Sequence, residues 1–138
     1  MSIADNLRDI HERIRAAAER AGRDPGSVKL VAVSKTQPAE AVAAALEAGQ
    51  IIFGENYVQE FTDKAHRLPG NIRWHFIGSL QTNKVKYLAG ITSLIHSVDR
   101  ISLAQEINRQ WEKSDGVCDI LLQVNISGEE TKSGTTTS

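Results

Sequence analysis

A single cysteine, Cys118, is the only thiol in this chain of 138 residues. One cysteine excludes an internal disulfide and suits a reducing, cytoplasmic compartment. Its strand-like setting gives it the reading of a small buried apolar residue. An excess of charge is also missing. Sixteen basic residues face seventeen acidic ones, so no bulk field draws nucleic acid or an anionic membrane. No apolar run is long enough to span a bilayer. Residues 1–21 lack the cationic start and apolar block of a signal peptide. No Gly-rich fingerprint follows the first apolar run, which weakens a dinucleotide-binding reading. No His, Cys or carboxylate pair has the spacing of a metal site. Ser34 lacks the Gly-x-Ser-x-Gly context of a serine hydrolase.

What is present is a repeating alternation. Ile3, Leu7, Ile10, Ile14 and Ala18 recur three or four apart, which predicts a helix from Ser2 to Ala21, capped by Ser2 and ended by Gly22. Val28 to Ser34 is almost continuously apolar, as in a parallel strand covered on both faces. Pro38 opens an Ala-rich helix, Ala39 to Ala48, and Gly49 stops it. The pattern then repeats: strand Ile51 to Gly54 and helix Val58 to Leu68, then strand Arg73 to Gly78 and helix Asn83 to Leu88 with Thr82 as cap. Strand Ser93 to Val98 precedes a helix from Ile101 to Lys113 with Ile101, Ala104, Ile107 and Trp111 inward. Asp119 to Ile126 is a fifth strand. Ser127 to Ser138 is polar, and Thr135 to Ser138 shows no helix or strand pattern. This α/β alternation implies a parallel sheet with right-handed crossovers. A doubly wound open sheet and part of a (β/α)8 barrel both fit it. A closed barrel needs eight strands and about 250 residues, so five strands leave the pattern in mid-fold.

In both architectures functional groups gather at the C-terminal ends of the strands. Those ends carry Ser34 and Lys35, Glu55 and Asn56, Gly78 and Ser79, Ser97 and Asp99, and Asn125 and Ser127. Lys35 has two readings. It snorkels from a strand end into water, or it is a nucleophilic amine whose apolar surroundings lower its pKa and free its lone pair for an aldehyde. Asn56 either caps the helix that follows or touches a ligand. His75 alternates with Trp74 and Phe76, so it faces away from them, as a bonded core histidine or as a pocket wall. Asp99-Arg100 reads as a cap and a solvated partner. Lys84, Lys86 and Lys132 are solvating charges or a basic rim for phosphate.

Four blocks carry a resemblance. Trp74 to Lys84 reads WHFIGSLQTNK, Val31 to Lys35 reads VAVSK, and Phe53 to Glu60 reads FGENYVQE; the fourth joins Gln123 to Ser127 with Lys132-Ser133-Gly134. Together they resemble the pyridoxal phosphate homeostasis proteins, relatives of the alanine racemase N-terminal barrel. The resemblance implies that residues 1–138 are a single domain, the N-terminal part of a TIM barrel in the (β/α)8 family. It implies pyridoxal 5'-phosphate held as a Schiff base on Lys35, with Asn56 and His75 lining the pocket and Lys132 as a secondary lysine. It implies a role in intracellular vitamin B6 balance rather than turnover. The family pattern continues past Lys-Ser-Gly with a helix and three further strands that supply most of the grip on phosphate, and Thr135 to Ser138 departs from it. Two other expectations stand beside this one: a fragment that no longer binds the cofactor, and a racemase-like enzyme, a type that draws a catalytic tyrosine from a second domain.

A partial barrel leaves two strand edges and an apolar inner face uncovered, and such surfaces drive association. The expectation is a homo-oligomer in which two copies pair strand five of one with strand one of the other, in parallel, at both seams.

Overall fold

The computed structural model describes residues 2–127 and 134–135. Lys132 and Ser133, named above, lie outside the described residues. Helix α1 spans Ile3–Arg20. Its start is a reciprocal cap: the Ser2 hydroxyl accepts from the Asp5 amide at 3.1 Å, and the Asp5 carboxylate accepts from the Ser2 amide at 3.3 Å. Gly22 follows it at φ 72°, a left-handed position that suits glycine. Leu7 and Ala18 are buried, whereas Ile3 and Ile10 stay exposed.

Strand β1 (Ala32–Val33), helix α2 (Ala39–Glu47), strand β2 (Ile52–Glu55), helix α3 (Val58–Arg67) and strand β3 (Arg73–Phe76) come next. Strand β4 (Thr92–Val98), helix α4 (Ile101–Glu112) and strand β5 (Asp119–Leu122) complete the regular elements. The strands lie in the order β1-β2-β3-β4-β5, and every pair is parallel. A doubly wound sheet reverses direction at a switch point. Here the order never reverses, so the sheet is the partial barrel.

One face of the sheet meets the helices. Phe53, Trp74, Phe76 and Ile95 are buried there with Phe61 of α3. The Phe61 ring lies 5.2 Å from Trp74 and 6.4 Å from Phe76, and Phe53 lies 5.9 Å from Trp74. The other face is the register row Val33, Gly54, His75 and Leu94. Val33 is 51% exposed, so β1 is not covered on both faces as its apolar run led us to expect.

Several elements depart from expectation for local reasons. Strand β1 is much shorter than Val28 to Ser34. It has one neighbour, and the Leu30 carbonyl is taken by the buried Gln50 side chain at 2.8 Å, which also bonds the Ile52 carbonyl at 2.7 Å. The segment Thr82–Tyr87 is a 3-10 helix without a side-chain cap, since six residues give an α-helix too few bonds to repay nucleation. Ile101 points outward at 76% exposure while Leu103, Ile107 and Trp111 form the buried stripe of α4. Thr135 is not patternless: Val124 and Thr135 form a parallel bridge, with Asn125 donating to Thr135 and Thr135 to Gln123, each at 2.7 Å.

The rims of β2 and β3 touch at Gly78. A Cβ built there would stand 2.1 Å from the Asn56 carbonyl oxygen, and that atom is backbone and cannot swing aside. Gly78→Ala therefore destabilises by roughly 3 kcal/mol, the upper end for overpacking. Urea unfolding measures it, and a loss below about 0.5 kcal/mol, the scale of an ordinary surface change, would show that the two rims move freely.

Candidate functional site

The register decides which rim residues are neighbours. Val33 pairs with Gly54 and Gly54 with His75. Lys35 and Asn56 each stand two residues beyond their paired positions, so they are level at the C-terminal rim. His75 lies one layer below, inside the ladder. The structure thus brings the three expected residues to one end of adjacent strands. Lys35 is exposed, in a turn between β1 and α2, as the reading of a lysine reaching into water has it and not in the apolar surroundings of the alternative. Asn56 caps nothing: Tyr57 holds the cap position of α3 and no side chain bonds there.

Beneath Lys35 lies a charge network that the sequence reading did not single out. Lys64 is 5% exposed and Glu55 fully buried. The Lys64 ammonium donates to the Ser34 carbonyl at 2.5 Å, to Glu55 Oε2 at 3.0 Å and to Glu60 Oε2 at 2.8 Å. All three ammonium protons have acceptors. The Ser34 hydroxyl donates to the same Glu55 oxygen. Glu60 Oε2 also accepts from the Thr36 amide at 2.6 Å. Two signals in the sequence could have found this network. Lys64 falls on the stripe of Phe61 and Ala65, and Glu55 shares the core-facing alternation of Phe53.

On the uncovered face, His75 and His96 meet. Their rings are 5.1 Å apart, and Nδ1 of His75 lies 3.0 Å from Nε2 of His96. One ring donates its N–H and the other accepts, which keeps at least one imidazole neutral. Burial lowers both pKa values from the usual 6.5, and the neighbouring His96 charge lowers that of His75 further. Burial, with Asp119 beside it, pushes the Cys118 thiol up to about 12, in keeping with a structural cysteine.

Outside the sheet, Asn56, Gln59, Thr62, Ser79, Gln81 and Lys84 line part of a groove of about 600 Å³. Lys84 and Lys86 flank the Tyr87 ring at 5.9 and 5.3 Å. Ser97 and Arg100 serve the rim itself: Ser97 Oγ donates to the Gly78 carbonyl at 2.5 Å, and Arg100 to the Leu80 carbonyl at 2.8 Å. Asp99 pairs with Arg100 at 2.7 Å and does not cap α4. Among the described residues no group of three His, Cys, Asp or Glu could hold a metal, and no helix is long and apolar enough to cross a membrane. A solvent-facing primary amine, an amide and an imidazole pair suit a small carbonyl compound that also needs hydrogen bonds. The donor set fits an aldehyde-bearing cofactor.

The histidine pair has a pH signature. Folding lowers both pKa values, so below about 6.5 the unfolded chain binds more protons than the folded one. Stability is therefore full above that pH and declines as pH falls. Melting temperature should drop between about pH 7.5 and about pH 5.5, and His96→Asn should flatten the drop. Equal slopes in the two proteins would assign the effect to other groups.

A family model described as "Alanine racemase, N-terminal domain" matches residues 6–138. A pyridoxal phosphate homeostasis protein of Aquifex aeolicus is 48% identical over 135 residues, 97% of this chain and 59% of that protein. One of Escherichia coli is 45% identical over 136 residues, 96% of this chain and 58% of that protein. These relatives bear out the resemblance carried by the four sequence blocks. A structure of PipY from Synechococcus elongatus with PLP bound superimposes with a TM-score of 0.72 at 38% identity, covering 91% of this chain and 55% of that one. A protein of Bifidobacterium adolescentis superimposes at 0.87 and 39% identity, covering 96% of this chain and 58% of that one. The chain spans just under three-fifths of the length of these two homeostasis proteins. With the match running through all five parallel strands and the rim that carries Lys35, the chain belongs to the alanine racemase N-terminal domain family.

Proposed function

We propose that this chain binds pyridoxal 5'-phosphate as a Schiff base on Lys35, with Asn56 and His75 beside it, and that its role is intracellular vitamin B6 homeostasis rather than catalysis. The observation that carries the reading is the place of Lys35: an exposed amine at the C-terminal end of the first strand, where parallel α/β folds collect their ligands. The amine lone pair attacks the aldehyde carbon, C=N replaces C=O, and one water leaves. Asn56 offers an amide, and the half-buried His75 offers a neutral ring. The PLP-bound relative and the names of the homeostasis proteins support the reading. A cytoplasmic location is part of it, supported by the single cysteine.

Absorbance titration with pyridoxal 5'-phosphate, followed by borohydride trapping and peptide mapping, tests this directly. A visible band that maps to Lys35 and disappears in Lys35→Ala is the expected result. Equal, scattered labelling of lysines in both proteins would refute it and favour a fragment that binds nothing. Turnover of an amino acid between its enantiomers by the loaded protein would instead make it an enzyme.

We also propose that the 138-residue chain self-associates in solution. Val33, Leu121 and Leu122 expose apolar surface on a sheet with open ends at β1 and β5, Leu122 at 70%. A second copy aligned along the same axis covers both. Light scattering should report at least a dimer, and a monodisperse monomer at tens of micromolar would sink the idea.

A further inference from the structure

The two peptide groups that flank Lys35 are tied to the same buried ammonium. Lys64 holds the Ser34 carbonyl directly at 2.5 Å. It holds the Thr36 amide through Glu60, which accepts from Lys64 at 2.8 Å and from Thr36 at 2.6 Å. Thr36 sits at φ 63°, a left-handed conformation that is strained for a β-branched residue. Such strain persists only where the surroundings hold it in place. A buried ion group is poor evidence of stabilisation, because desolvating the charges offsets their attraction. This network spends its remaining hydrogen bonds on the turn that carries Lys35.

We propose that Lys64, acting through Glu60, is the positioning residue for Lys35. It fixes the peptide planes on both sides of Lys35, so the amine starts from a narrow set of positions at the rim. The inference rests on the reading of Lys35 as the cofactor amine. It adds that cofactor affinity is set by a second lysine that does not itself meet the aldehyde. Ordering a long side chain and its turn in advance is worth about tenfold in affinity.

The test uses wild type, Lys64→Met, Lys64→Arg and Glu60→Gln, with Phe61→Leu as a control for loss of core packing. Pyridoxal 5'-phosphate titration and trapping should show labelling still at Lys35, with affinity about tenfold weaker in Lys64→Met and Glu60→Gln. Lys64→Arg should recover part of it, and Phe61→Leu should keep wild-type affinity despite a lower melting temperature. Without cofactor, the Thr36 amide should exchange with solvent faster in Lys64→Met and Glu60→Gln than in wild type. If Lys64→Met does not fold, Glu60→Gln decides, since Glu60 is partly exposed and the substitution keeps its shape. Wild-type affinity and slow Thr36 exchange in folded variants would overturn the proposal. Failure of wild type to label Lys35 would overturn the cofactor reading alone, and Thr36 exchange would still judge the clamp.

Discussion

Handedness governs this molecule. Crossovers between parallel strands follow a right-handed rule, and the strands follow one another in order without a reversal. The connecting helices must then lie on a single side of the sheet. That constraint buries Phe53, Trp74 and Phe76 against Phe61 and leaves Val33, His75 and Leu94 on the opposite face. It also sends each strand-to-helix turn to the same rim. Lys35 and Asn56 are neighbours because of chain topology, before any side-chain contact is considered.

Within that frame the rim is held by polar side chains that reach its main-chain oxygens. Ser97 fixes the Gly78 carbonyl, Arg100 fixes that of Leu80, and Lys64 fixes that of Ser34. Each is a side chain bonded to a main-chain oxygen that the ladder leaves over. Loops that end parallel strands have carbonyls to satisfy, and here long or hydroxyl-bearing side chains do so, Lys64 and Ser97 from buried positions and Arg100 from the surface. The tip of Lys35 is exposed, while the peptide groups on either side of it are bonded from below.

The sequence disclosed periodicity better than boundaries. All five strands and the order of the elements were legible, because buried parallel strands read as apolar runs between Gly and Pro stops. The lengths of β1 and β5 were not, since pairing at a sheet end depends on what its neighbour offers. Gln50, a polar residue at a helix end, takes the Leu30 carbonyl, and nothing local in residues 28–34 announces that. Ile101 was misassigned because a helix's first residue projects beyond the core that its periodicity points toward. At the site, Lys35 and Asn56 stood out by position at strand ends, and His75 through its alternation with Trp74 and Phe76 and the family resemblance. Lys64 did not, because a lysine on a helix reads as solvated surface unless its place on the Phe61 stripe is weighed against its charge. The His75–His96 contact needed the register shift between β3 and β4, which no sequence pattern reveals.

The small bridge between Val124 and Thr135 makes the two ends of the sheet unlike. Just past β5, the row of main-chain groups already has a partner from its own chain; beside β1 the outer row has none among the described residues. A contact that joins unlike ends has a direction, and repeated it either closes into a ring or runs on as a filament.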